Sequence, residues 1–523
     1  MPPTLALALW FVLLLALFYF DPSKETATSA AVWIPVVWMF IIATRLPSQW
    51  FAGQAGQTVQ GYEDGNPVDR TIFLVLITLA IGVLMSRSFK IHDFVTRNTS
   101  LIVFLSFALL SVVWSDYPFV TFKKWFRDLG NYAVILVVLS DPRPLGAIRT
   151  LLRRLSYLLV PLSVLLIKYY PAMGREYSEW SGAATYSGAA TTKDELGAIC
   201  LVSGIFFFWD TLLRWSDRKE GKTKQVILVN IVLFAMTLWL LNMCDSATCR
   251  VCLGLGCLVI LAARTKAVKR HPAPLKFLVP VVVSLVLFMV FGADMKASLA
   301  GAVGRDPTFT DRTLLWSYLL DNMKTNVLVG TGYESFWLGS RLQQLWAQFA
   351  FRPNQAHDGY IELYLNLGVL GESLLIGFLI ASYRTISRKL GDASEVTTSL
   401  GLALWSVTPI YNITTASFGR GELLWLTFLL GAIVIPMPNR DRKSTAAVSD
   451  AESGSLAPGR VHLVTRAQQS LEPKRREICV PRGRTVSGSE SSFEGSSLDS
   501  YRRLRRSWGV PELQVGSSRG QAT

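Results

Sequence analysis

The sequence predicts an all-α polytopic membrane protein with about 12 or 13 transmembrane helices, one long and partly helical external loop, and a disordered C-terminal tail. Three observations predict this. Of 523 residues, 51% are hydrophobic and 17% charged, and the mean hydropathy is +0.35, which is too apolar for a soluble domain of this length. Apolar runs of roughly 16 to 22 residues recur along the first 437 positions, each long enough to cross about 30 Å of hydrocarbon as a helix. Lys and Arg fall between these runs and in the tail rather than on one folded face. The formal charge of +15 therefore reads as a topology signal, and no nucleic-acid partner is expected.

In chain order, spans are expected near residues 5–20, 30–44, 71–86, 100–114, 129–140, 151–170, 195–213, 226–243, 248–263, 276–292, 360–383, 397–416 and 422–437. The first twenty residues lack the basic start of a signal peptide and run into Asp21-Pro22 without a small-residue cleavage pattern, so they are expected to stay as the first span. The fifth run is short and the sixth carries Arg153, Arg154 and Lys168 near its ends, which makes one of them a candidate interfacial segment. The basic loops 214–224, 264–276 and 384–389, and the chain after 440, belong on the cytoplasmic side. The connections 171–194, 244–247, 293–359 and 417–421 then lie outside, and the longest, 293–359, is where function is expected.

This divides the chain into a transmembrane domain, 1–439, and a basic tail, 440–523. The tail, with stretches such as SGSESSFEGSSLDSYRRLRRS, has too little apolar surface to offset its ordering entropy and is expected to be disordered and cytoplasmic. Its basic clusters suit either anionic lipid or plain solvation. Cys200, Cys244, Cys249, Cys252 and Cys257 lie in or beside spans and Cys479 in the tail; the single CxxC at Cys249 and Cys252 lacks a second pair or nearby histidine and reads as structural.

Of four histidines, only His357 falls on the external side, at the end of the long loop, where an imidazole can take a proton from a hydroxyl. An interfacial loop histidine is the plainer alternative. Arg250 lies one or two residues inside a span after the external turn Asp245-Ser246-Ala247; it either snorkels to the surface or faces a polar site. Arg305 and Arg312, seven apart in GRDPTFTDRTLLWSYLL, suit a diphosphate because the guanidinium fork gives bidentate, charge-assisted hydrogen bonds. Asp306 and Asp311 offer them ordinary surface partners instead. Lys193 in TTKDELG is a secondary candidate. Tyr333, Trp337 and Trp346 could stack on sugars or belong to an aromatic belt.

The stretch VGTGYESFW, followed some twenty residues later by HDGYIELYLNLGVLG, resembles the core of the O-antigen ligase and O-antigen polymerase superfamily; GRDPTFTDRTLLW upstream is similar to its exopolysaccharide-production branch. The resemblance covers 304–371 and leaves the tail untouched. It implies catalytic roles for Arg250 in DSATCR, Arg312 in TDRTLLW and His357 in AHDGY and keeps Lys193 as a secondary candidate; Arg305, Tyr333 and Trp337 are substrate-binding candidates on their own chemistry. Two departures stand out: Asp358 follows the histidine where the family often has Asn, and Lys193-Asp194-Glu195-Leu196-Gly197 stands for Lys-Asn-x-Leu-Gly.

The implied function is glycosyl transfer at the periplasmic face of a bacterial inner membrane. Polyprenyl diphosphate-linked oligosaccharide is the donor, and a glycan or lipid-linked hydroxyl is the acceptor. The anomeric carbon would invert, and the arginines would hold the diphosphate in place of a metal. No Walker loop or acidic metal cluster is found, so no cofactor and no metal are expected. A transporter or flippase of lipid-linked glycans is the rival. It would carry charges through several mid-membrane spans, whereas here the polar groups gather at one face.

Overall fold

Each apolar stretch expected to span carries a helix in the computed structural model, which describes residues 1–21, 28–52, 65–177, 184–215, 221–291, 312–390 and 397–435. The helices used below are α1 (Pro3–Tyr19), α2 (Trp33–Ala43), α3 (Pro67–Ser86), α4 (Thr99–Leu110), α5 (Pro118–Leu139), α6 (Pro144–Tyr169), α7 (Lys193–Arg214), α8 (Gly221–Met243), α9 (Ala247–Arg264), α10 (Ala273–Phe291), α11 (Arg312–Asn322), α12 (Gly339–Gln348), α13 (Gly359–Arg388), α14 (Thr397–Tyr411) and α15 (Leu423–Ala432). By length and composition, α3, α6, α7, α8, α9 and α13 can each cross a membrane alone. Shorter apolar helices stand beside them, including α1, α10 and α15. The chain is a multi-pass, all-α membrane protein; α11 and α12 form the helical part of the long loop. Arg305, the rest of 292–311 and the tail 440–523 lie outside the described residues.

Two boundaries differ from expectation for physical reasons. The fifth span begins at Pro118 rather than near residue 129, because Pro118 opens the helix at its first position and the helix runs on through KKWFRD, whose Asp128 alone turns fully into the protein. There, Asp128 and Asn131 are buried and hydrogen-bonded. The sixth run forms a helix of 26 residues, long and apolar enough to cross a membrane. In α6 Arg153 is 1% exposed, reaching Asp210 of α7 at 3.0 Å and Asp21 at 3.5 Å. Asp210 also accepts from Arg149, Arg214 and Asn230, so this end of the bundle is closed by a buried ionic network.

At the other end, the Tyr170 hydroxyl donates to the Pro3 carbonyl at 3.2 Å and Arg45 donates to the carbonyl of Met173 at 2.5 Å. The start of α1 and the chain leaving α2 therefore lie beside the chain that leaves α6 and leads into α7.

Helix α13 is broken at Gly368, whose φ of 64° and ψ of −169° suit glycine alone. Across the break runs the segment 327–332. Val369 and Leu370 donate to Val327 and Leu328 at 2.9 and 3.1 Å, while Thr331 and Gly332 donate to Leu365 and Asn366 at 3.1 and 2.9 Å. The approach is reciprocal: a Cβ on Gly330 would stand 2.4 Å from the Asn366 carbonyl carbon, and one on Gly368 would stand 2.4 Å from that of Leu328. Backbone strain alone at Gly368→Ala is expected to cost about 1–3 kcal/mol, and the overlap adds to it. Thermal unfolding in detergent should show a clear fall in Tm; an unchanged Tm would mean that the two segments separate freely.

Candidate functional site

His357 is set in place by the three residues HDG. Its own φ is +52°, a left-handed conformation rare outside glycine, asparagine and aspartate. Asp358 is the N-cap of α13, accepting from the Tyr360 and Ile361 amides at 2.8 and 3.0 Å. Aspartate and asparagine cap equally well, so the departure at this position keeps the local structure. The Gly359 amide donates to the Asn412 carbonyl at 2.7 Å, and a Cβ there would meet Asn412 Oδ1 at 2.2 Å. Trp316 of α11 donates to the Ala356 carbonyl at 2.7 Å, which ties the loop helix to the residue before the histidine.

Arg312 opens α11 and binds two separate elements. It donates to Asp194 at the start of α7 at 2.6 Å and to the Thr414 carbonyl after α14 at 2.8 Å. The Thr414 hydroxyl lies 2.9 Å from that of Thr248, in the first turn of α9. Arg250 stands two residues further along that turn, half-exposed and ion-paired with Asp245. Lys193 is the residue before Asp194 and is partly buried. Arg312, Lys193, Thr248 and the turn carrying Arg250 thus converge through these contacts at one end of the bundle. Burial, reinforced by the charge of Arg312, pushes the His357 imidazole down to about 4 against the opposing pull of Asp194. At neutral pH it is an uncharged base beside a guanidinium.

Tyr333 and Trp337 are buried, at 5% and 3% exposure, and their polar atoms are used inside the protein. The Tyr333 hydroxyl is 2.9 Å from both the Asp128 carboxylate and the Gly419 carbonyl. The Trp337 indole donates to Glu362 at 2.8 Å. Trp346 donates to the Pro353 carbonyl at 3.0 Å. Tyr333 supports the wall of the site, and Trp337 borders a cavity of about 360 Å³.

That cavity lies between α2, α3, α5, the start of α7 and the loops at 334–355 and 420–422. Arg420 is its main cation. It binds Glu334 through a fork at 2.7 and 3.0 Å and approaches Glu362 at 3.5 Å, while Lys124 donates to the Glu334 carbonyl at 2.9 Å. Burial opposes ionisation of Glu334, but Arg420 and Lys124 hold its carboxyl below the ordinary value. Arg420 also acts on His357, lowering it, which connects the cavity electrostatically to the histidine.

Residues 229–376 match a family described as O-antigen ligase. The segment is similar to the O-antigen ligase family. It holds Arg250, Arg312 and His357, the three residues that the motif resemblance marks, together with the broken α13 and its paired glycine segment. The chain is also 23% identical over 361 residues to the exopolysaccharide production protein ExoQ of Rhizobium meliloti, a match covering 64% of this chain and 77% of that one. O-antigen ligase residues alone do not complete the site. Asp194, Arg420 and Thr414 come from outside the matched segment.

Sequence reasoning missed Arg420, Lys124 and Arg127. The signal for Arg420 was weak, one basic residue in the short external turn FGRGE. Lys124 and Arg127 were hidden because KKWFRD was read as a flank of a short span.

Proposed function

We propose that the chain is a membrane glycosyltransferase of polysaccharide synthesis, joining an oligosaccharide from a polyprenyl diphosphate donor to a glycan or lipid-linked hydroxyl, with the loop 293–359 facing away from the cytoplasm. The observation that carries this reading is the placement of Arg312 against the start of α7 with an uncharged His357 beside it. His357 takes the proton of the acceptor hydroxyl as that oxygen attacks the anomeric carbon. The bond from that carbon to the diphosphate oxygen breaks on the opposite face, giving inversion, and the diphosphate leaves with both electrons. Arg312, with Arg250, Arg305 and Lys193, supplies positive charge where the leaving group gains it.

An almost wholly apolar groove of about 430 Å³ supports a place for the prenyl chain. It is lined by Leu287 of α10, Leu320 of α11, and Tyr360, Ile361, Tyr364 and Glu372 of α13, so it begins three residues from His357. The name of the Rhizobium relative supports exopolysaccharide as the product class.

The test is incorporation of labelled glycan in proteoliposomes given the polyprenyl diphosphate oligosaccharide. Longer product with the intact protein, lost in His357→Ala at equal folded amounts, is expected. Movement of donor across the bilayer without a new glycosidic bond would replace this reading with transport. The pH profile adds a sharper check. Because only neutral imidazole accepts a proton, kcat/KM should hold as pH falls through 6.5, the ordinary value, and drop only toward about 4. A limb at 6.5 or above would show that burial and Arg312 do not govern this histidine.

A further inference from the structure

The cavity beside Trp337 is lined by more charge than any diphosphate needs, yet little of that charge is available. Glu334 and Glu362 occupy Arg420, and Glu195 accepts through Oε2 from the Thr191 amide and hydroxyl at 2.9 and 2.5 Å and the Thr192 amide at 3.3 Å. Glu422 differs. It is the N-cap position of α15 and lines the cavity, and among the described residues its carboxyl has no hydrogen-bond or ion-pair partner. Both of its carboxyl oxygens are therefore open to the hydroxyls of a ligand in the cavity. Asn354 and Gln355 complete the lining, and they precede His357 by three and two residues on the same loop.

We propose that this cavity is a glycan subsite that takes an uncharged sugar ring through its hydroxyls, with Glu422 as the side chain that orients it. The inference rests on the glycosyl-transfer reading above for the source of the sugar, and on the cavity itself for the chemistry. A phosphate would meet Asp128, Glu195, Glu334 and Glu422, and the cations among them, Lys124, Arg127 and Arg420, each already face a carboxylate. A neutral ring meets the Glu422 carboxyl and the Asn354 and Gln355 amides, polar groups that match paired hydroxyls, with Trp337 among the apolar lining. A volume of about 360 Å³ lies at the lower end of small-ligand sites. Since one loop carries both Asn354 and His357, a sugar seated here fixes the reacting hydroxyl or anomeric carbon relative to the base.

The test uses the full chain in lipid nanodiscs and two probes. One is oligosaccharide released by mild acid from the surface polysaccharide of the host cells, and the other is polyprenyl diphosphate carrying no sugar. Binding is read by calorimetry. Glu422→Ala should weaken oligosaccharide binding roughly tenfold, the loss expected for a hydrogen-bonding carboxyl, and leave polyprenyl diphosphate binding intact. Arg312→Ala should do the reverse. Glu422→Gln, which keeps shape and one accepting oxygen, should fall between and covers the case in which the alanine variant does not fold. In steady-state transfer, a raised KM for the acceptor assigns the cavity to the acceptor glycan, and a raised KM for the donor assigns it to the donor's sugars. Wild-type oligosaccharide affinity in both Glu422 variants, or equal loss of both probes, would overturn the subsite. If the intact protein forms no glycosidic bond but oligosaccharide binding still depends on Glu422, the transferase reading falls and the subsite stands.

Discussion

Arg312→Ala is expected to lower kcat/KM for glycosyl transfer by about 10²–10³, the usual loss when one preorganised donor to a developing oxyanion is removed. Two of its N–H groups already hold Asp194 and the Thr414 carbonyl at 2.6 and 2.8 Å, so its position is fixed before substrate arrives. The remaining donors of the planar fork are left for a diphosphate. Arg312→Lys keeps the charge without the fork and should recover only part of the loss. The variants also act on His357. Arg312 helps hold the imidazole low, so in Arg312→Ala the acid limb of kcat/KM should move up toward 6.5. Asp194→Asn should move it down, since Asp194 pulls the other way. The check is a pH series on equal amounts of folded protein. Full activity in Arg312→Ala would remove the residue from the mechanism, and loss of activity with an unmoved limb would separate it from His357.

How far the sequence reveals this site depends on which forces place each residue. Spans were legible because a run of apolar residues suffices to specify a helix in lipid, and every expected run carries one. His357 and Arg312 were legible because each sits in a dense local pattern, HDG and DRTLLW, whose geometry is settled within a few residues. The partners were not. Asp194 reaches Arg312 across 118 positions, and Arg420 reaches Glu334 across 86. Such pairs follow from tertiary packing, which periodicity does not report. Tyr333 shows the converse difficulty. An aromatic in an external loop looks available to a sugar, but the reciprocal glycine pairing of 327–332 with the broken α13 draws that segment into the protein, where its hydroxyl meets Asp128. The shortened estimate of α5 had the same origin, since charges that flank a span in one protein can be buried and paired in another.

Asp210→Ala is expected to destabilise the bundle by about 3–5 kcal/mol, the cost of removing one partner from a buried ionic network. The magnitude follows from who is left behind. Asp210 accepts from Arg149 at 2.8 Å, from Arg153 and Arg214 at 3.0 Å and from Asn230 at 3.0 Å. Arg149 and Arg214 lie near the surface and can turn to water, but Arg153 is 1% exposed and would keep only Asp21, at 3.5 Å. An arginine so placed in a membrane protein has few ways to recover its hydration. Asp210→Asn should cost less, because an amide oxygen still accepts while the charge is lost. The effect should be confined to stability. Sixteen residues of α7 separate Asp210 from Asp194, about 24 Å of helix, so transfer per folded molecule should match the intact protein. The measurement is thermal unfolding in nanodiscs beside specific activity at a temperature where both proteins are folded. A loss below about 1 kcal/mol, within the range of an exposed pair, would mean that the network is already hydrated. A fall in specific activity with little change in Tm would mean instead that α7 carries strain from this end of the bundle to the site around Arg312.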